Sequence, residues 1–139
     1  MSKILAIDYG MKRTGLAITD SMQIIASPLE TIDTSKIFEH LKKLIETEKI
    51  VALVVGEARY SNGNASAITL EQEKFCTELA KKFPNTPIHR INEMFTSKLA
   101  AQALVMGGMK KSDRQNKGNL DKVSAAIILQ TFLETRSRL

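Results

Sequence analysis

The stretch Lys3-Ile4-Leu5-Ala6-Ile7-Asp8-Tyr9-Gly10 constrains the chain most. It is an apolar run too short for a helix, and it stops abruptly at a carboxylate, an aromatic ring and a glycine. A short apolar run closed by a turn signal fits a strand buried on both faces. In open α/β sheets, sites lie at the carboxyl ends of such strands. Asp8 stands at such an end. On its own it serves either chemistry or a turn, because Asp readily hydrogen-bonds nearby backbone.

The rest of the chain reads in register with that strand. Met11-Lys12-Arg13-Thr14 is a basic turn, and Gly15 to Asp20 a second strand, which makes a hairpin with the first. Gln23 to Ile32 reads as a third strand, with Pro28 marking an edge or an irregularity. Asp33 and Thr34 offer capping chemistry for a helix over Ser35 to Lys49, where Ile37, Phe38, Leu41, Leu44 and Ile45 recur at helical spacing. Ile50 to Val55, closed by Gly56, is a second buried run; the intervening helix makes it parallel to the first strand. Glu57 to Ser66 is a polar loop. A helix over Ala67 to Phe83 turns Phe75, Cys76, Leu79 and Phe83 inward. Ile88 to Ile91 is a short strand ending at Asn92-Glu93, and Thr96 to Met106 a further helix. The last helix runs from about Leu120 to Arg136, with Val123, Ile127, Ile128, Phe132 and Leu133 as its stripe and Ala126 and Leu129 broadening that face. The element order predicts a mixed α/β sheet whose first part is antiparallel.

With 139 residues and no linker or repeat, one domain over 1–139 is expected. The single cysteine, Cys76, forms no internal disulfide, which favours a reducing compartment. One cysteine with His40 and His89 makes a zinc site a poor fit. No run is long enough to span a bilayer, and Asp8 breaks the first apolar run before it resembles a signal peptide. A cytoplasmic protein with no membrane partner is expected. The formal net charge of +5 favours an acidic partner such as nucleic acid.

Three carboxylates stand at element ends: Asp8, Glu93, and Asp121 in the expected first turn of the last helix, where the helix dipole favours an anion. Brought together, they repel unless cations neutralise them. Oxygen ligands without His or Cys select Mg²⁺ or Mn²⁺. Two such ions activate water and stabilise the leaving oxygen of a phosphodiester. Without that meeting, Asp121 is an ordinary helix-start acid and Glu93 a surface acid. Asp20 and Asp33 read as turn and cap residues. The segment from Gly107 to Asn119 carries Lys110, Lys111, Arg114 and Lys117 just before Asp121. It is either a solvated surface loop or a phosphate clamp, as are Lys12 and Arg13 in the first turn. Thr96 and Ser97 cap their helix or hydrogen-bond a phosphate.

These motifs resemble the YqgF/RuvX family. The resemblance rests on Ile7-Asp8-Tyr9-Gly10 with Lys12 to Ala17, Val54-Val55-Gly56, Asn92-Glu93 with Thr96-Ser97, and Asn116 to Asp121 with Ser124 to Leu129. It covers essentially the whole chain. That family is associated with Holliday junction resolution and with maturing the 5′ end of pre-16S ribosomal RNA. The resemblance implies a three-layer, RNase H-like α/β fold: a five-stranded mixed sheet of order 3-2-1-4-5 with flanking helices. It also implies that Asp8, Glu93 and Asp121 are the catalytic acids and the ligands of Mg²⁺ or Mn²⁺. The partner would be pre-16S rRNA or branched DNA, and the protein a monomer or a homodimer.

Two places depart from the family pattern. Asn92-Glu93-Met94 stands where Asp-Glu-Arg is usual, and Val55-Gly56-Glu57-Ala58 where Val-Gly-Leu-Pro is usual. The proposed ligands are kept, while a neighbouring acid and a cation are lost. That leaves a non-catalytic RNA-binding assembly factor as one rival. A sugar-kinase or actin-like ATPase start is another, but that architecture needs two domains around the nucleotide.

Overall fold

The computed structural model describes residues 2–57, 67–92 and 117–137, and their side chains except at 67–69, 92, 117–121 and 137. The described elements are β1 (Lys3–Asp8), β2 (Arg13–Thr19), β3 (Ala26–Asp33), a 3₁₀ turn (Thr34–Lys36), α1 (Ile37–Glu48), β4 (Ile50–Glu57), α2 (Ala67–Lys82), β5 (Ile88–Asn92) and α3 (Lys117–Ser137). The expected helix over Thr96 to Met106 lies outside the described residues.

The five strands form one sheet in the order β3-β2-β1-β4-β5. The hairpin β1–β2 and the pair β2–β3 are antiparallel; β1, β4 and β5 run parallel. This is the RNase H-like arrangement expected from the sequence. It puts the first apolar run at the centre. Ile4, Leu5, Ala6 and Ile7 are each at most 2% exposed, because both faces of β1 are covered. Period-two alternation divides them. Leu5 and Ile7 pack with Ile37 and Leu41 of α1 and Phe75 and Leu79 of α2. Ile4 and Ala6 pack on the other side with Ala125, Ile128 and Leu129 of α3. The molecule thus has three layers, with α1 and α2 on one face of the sheet and α3 on the other.

Alanines bring α3 close to the sheet. Ala6, Ala17 and Ala52 meet Ala125 and Ala126, where larger residues would hold the backbones apart. The buried stripe of α3 is Ala125, Ala126, Ile128, Leu129 and Leu133. Val123, Ile127 and Phe132, expected in that stripe, are only partly buried, whereas Ala126 and Leu129 belong to its buried part.

Two local features differ from the sequence expectation. β3 starts at Ala26 rather than Gln23, because the Asp20 carboxylate takes the preceding residues into a turn. It accepts the backbone N–H groups of Met22 (3.2 Å), Ile24 (2.9 Å) and Ile25 (2.8 Å), and Gln23 adopts a left-handed φ of 59°. Asp20 is therefore the turn residue it looked to be. At Pro28 the register with β2 slips between Leu16 and Ala17, so the proline marks both an edge strand and an irregularity. The second difference is at the start of α1, where neither Asp33 nor Thr34 caps the helix or the 3₁₀ turn that leads into it. Thr34 spends its hydroxyl elsewhere.

Candidate active site

Asp8 is partly exposed at the carboxyl end of β1 and sits opposite Gly15 across the hairpin. Ile7 is abreast of Val55, Val55 of Arg90, and Glu57 of Asn92. The three parallel strands therefore end along one edge of the sheet. Asp8 continues the alternation Ile4, Ala6, so its position belongs to the face that α3 covers. Ile91, near the end of β5, packs against the same core.

The direction of α3 is fixed at its far end. The Phe132 ring lies 4.8 Å from that of His89, near the start of β5. Thr135 and Arg136 border Ile4, Val51 and Ala52, at the starts of β1 and β4. Arg136 also donates to the Gln23 side-chain oxygen at 2.8 Å. The carboxyl end of α3 thus lies over the amino ends of the strands, and the helix runs back toward the edge that carries Asp8. From Arg136 to Asp121 it rises about 22 Å, against about 17 Å for β1. The backbone of Asp121 is on the stripe that continues to Ala125 and Ile128.

Asp121 is not in the first helical turn, as the sequence led us to expect. The helix begins at Lys117, making Asp121 its fifth residue, and the first turn holds no acid. Gly118 and Asn119 are weak helix formers, but extending an existing helix costs little. Because helix-dipole stabilisation fades beyond the first turn, Asp121 draws less on it than expected. Its side chain, like that of Lys117, is outside those described. Glu93, Thr96, Ser97, Lys110, Lys111 and Arg114 lie outside the described residues altogether. Among the described residues no three His, Cys, Asp or Glu side chains gather, and of the three proposed acids only Asp8 is in that set.

The turn after Asp8 is held more firmly than its sequence suggests. Gly10 is required there, because a Cβ would overlap the Arg13 carbonyl oxygen. The Thr34 hydroxyl donates to the Gly10 carbonyl at 2.6 Å, and the Thr34 N–H donates to the Lys12 carbonyl at 3.0 Å. Thr14, fully buried, meets the Thr34 hydroxyl at 2.8 Å. The Gly10 carbonyl can only accept, so Thr34 gives its proton there and Thr14 must be the donor to Thr34. Lys12 and Arg13, both exposed, ride on this turn.

Tyr9 stacks on Phe75 of α2, with centroids 4.6 Å apart. Burial, and then the charge of Glu71, raises its phenol above the usual pKa. Gln72, only 1% exposed, points its amide at the Tyr9 carbonyl at 3.4 Å. Gln72 escaped the sequence reading. The signal was a polar residue on the stripe Gln72, Phe75, Cys76, Leu79, where only apolar ones were sought. Cys76, partly buried on that stripe, packs against the core, and burial pushes its thiol pKa up, as suits a packing residue rather than a nucleophile.

Comparison with known proteins agrees with this architecture. Residues 2–135 match the family described as RuvX: Holliday junction resolvase. A protein of Phocaeicola vulgatus named "Putative pre-16S rRNA nuclease" is 46% identical over 136 residues, 98% of each chain. One of Flavobacterium psychrophilum with the same name is 47% identical over 133 residues, 96% of this chain and 97% of that one. Among solved structures, Thermus thermophilus RuvC in complex with Holliday junction substrate is similar with a TM-score of 0.62. It is 17% identical, over 97% of this chain and 96% of that one. That likeness extends the RNase H-like assignment to an independently solved fold. A match from residue 2 to residue 135, with relatives above 40% identity along nearly their whole length, makes this chain a member of the RuvX Holliday junction resolvase family.

Proposed function

We propose that residues 1–139 form one nuclease domain that hydrolyses phosphodiester bonds in nucleic acid, with Asp8, Glu93 and Asp121 as its acids. The observation that carries the reading is the position of Asp8. It is a partly exposed carboxylate at the end of the central strand, on the face toward which the amino-terminal half of α3 runs. Glu93 directly follows β5, two residues beyond Ile91, whose side chain packs on that same face.

The donors fit a hard divalent cation. A carboxylate at a solvent-accessible strand end, with no His or Cys in the proposed set, suits Mg²⁺ or Mn²⁺. When bound, such an ion supplies a nucleophilic water at neutral pH and neutralises charge on the phosphoryl oxygens. The chain's own groups do the rest. Asp8, Glu93 and Asp121 would hold the ion through their carboxylate oxygens. Lys12 and Arg13, on the turn beside it, bind flanking phosphates, as do Lys110, Lys111, Arg114 and Lys117. Water would form a bond to phosphorus in line with the P–O bond that breaks, giving up a proton to solvent while the departing oxygen takes one up.

The substrate we favour is pre-16S rRNA, because relatives above 40% identity carry that name; cutting at its 5′ end and a cytoplasmic place of work complete the proposal. The family description favours a second reading, a four-way DNA junction, which would require a homodimer for paired cuts. The test is Mg²⁺- or Mn²⁺-dependent cleavage of both substrates by wild type and Asp8→Asn. Cleavage by wild type that Asp8→Asn abolishes supports the reading, and the preferred substrate decides between RNA and DNA. Salt-dependent binding without cleavage by wild type would make the protein a non-catalytic binding factor.

A further inference from the structure

We propose that Thr34 and Gln72 are positioning residues that hold the Asp8 carboxylate ready for its cation. The inference rests on the reading of Asp8 given above and goes beyond it, since neither residue contacts the reacting atoms. Two carbonyls follow Asp8 in the chain, those of Tyr9 and Gly10. Each is held by a side chain from a different part of the fold. Gln72 of α2 donates to the first at 3.4 Å, and Thr34, between β3 and α1, donates to the second at 2.6 Å. The Thr34 N–H holds a third, that of Lys12, at 3.0 Å.

These hydrogen bonds are costly ones to build. Gln72 is 1% exposed and Thr14 fully buried, so both are desolvated and need partners. The hydroxyl chain is directional: Thr14 donates to Thr34, and Thr34 to Gly10. Removing the Thr34 hydroxyl therefore takes the donor from the Gly10 carbonyl and leaves the buried Thr14 hydroxyl without this acceptor. The first turn of α1 gains nothing from this use of Thr34, since no side chain caps it. A threonine that would ordinarily cap a helix is committed to the backbone two residues from Asp8. A site held to within fractions of an ångström needs that kind of support.

The experiment compares Thr34→Val, which keeps the shape and loses the hydroxyl, with Thr34→Ser, which keeps the hydroxyl. Mn²⁺ binding is followed by electron paramagnetic resonance, with Asp8→Asn as reference, and amide exchange is followed across residues 8–15. Thr34→Val is expected to speed exchange in that turn and to weaken Asp8-dependent Mn²⁺ binding about tenfold, with Thr34→Ser close to wild type. Unchanged Mn²⁺ affinity in Thr34→Val, with or without faster exchange, overturns the inference, because the hydrogen bond is then merely structural. Equal loss in the Val and Ser variants also overturns it. Wild type that binds no more Mn²⁺ than Asp8→Asn overturns the reading of Asp8 itself, a result distinct from the other two. Gln72→Met, measured the same way, tests the second hydrogen bond and replaces Thr34→Val should that variant fail to fold.

Discussion

The Phe132 ring packs 4.8 Å from the His89 ring, and this pair decides which end of the last helix faces the site. His89 is near the amino end of β5, so the helix that ends beside it must begin toward the carboxyl edge. Asp8, on the central strand, stands at that edge. Reversing α3 would carry the backbone of Asp121 to the amino ends of the strands, away from Asp8.

The turn after Asp8 tolerates no side chain at Gly10. A Cβ there would overlap the Arg13 carbonyl, and a backbone atom cannot move aside as a flexible side chain can. Gly10→Ala is expected to lower stability by about 1–3 kcal/mol, as overpacking generally does. Urea denaturation measures it, and a change below about 0.5 kcal/mol, the range of neutral surface substitutions, would show that the turn relaxes freely.

Much of this was legible in the residues. β1 and β4 are continuous apolar runs, and a strand covered on both faces needs that pattern, so both were readable to within a residue or two. Asp8 was readable for the same reason, as the polar residue ending such a run. Side chains bonded to distant backbone were not. Thr34 looked like a helix cap because local sequence cannot show that the Gly10 carbonyl, on another strand end, reaches it first. Nor does local sequence mark Gln72, although its spacing from Phe75 and Leu79 puts it on the buried stripe.

Asp20 makes stability depend on acid. The N–H groups of Ile25 and Ile24 chiefly hold its carboxyl below the usual carboxylate range. A folded-state value lower than the unfolded one, about 3.9, gives stability that is present above that pH and lost as pH falls through the folded value. The stability difference between wild type and Asp20→Ala is therefore expected to shrink on acidification below pH about 4. Thermal melts from pH 6 downward test this, and a difference that stays constant contradicts it.

Cys76 is expected to be a slow thiol. Burial raises its pKa, with Glu73 and Glu57 adding to the effect against the opposing charge of Arg90. Less thiolate at a given pH means slower attack on a disulfide reagent. With 5,5′-dithiobis(2-nitrobenzoic acid) at pH 8, native protein should react well below the rate seen in denaturant. Equal rates would show that Cys76 is accessible and ordinary.

The basic residues should reveal themselves through salt. Replacing Lys110, Lys111 and Lys117 with Ala is expected to weaken nucleic-acid binding and to flatten log Kd against log salt by about 0.7–0.9 for each phosphate no longer neutralised. Lys12→Ala, on the turn beside Asp8, should lower the slope by about 1. An unchanged slope would return those residues to the solvated surface.

The most direct measurement is anomalous scattering from a crystal soaked in Mn²⁺. Metal density is expected against the Asp8 carboxylate, shared with Glu93 and Asp121. No density there at saturating Mn²⁺, with the three carboxylates turned apart, would contradict a metal-dependent nuclease centred on Asp8.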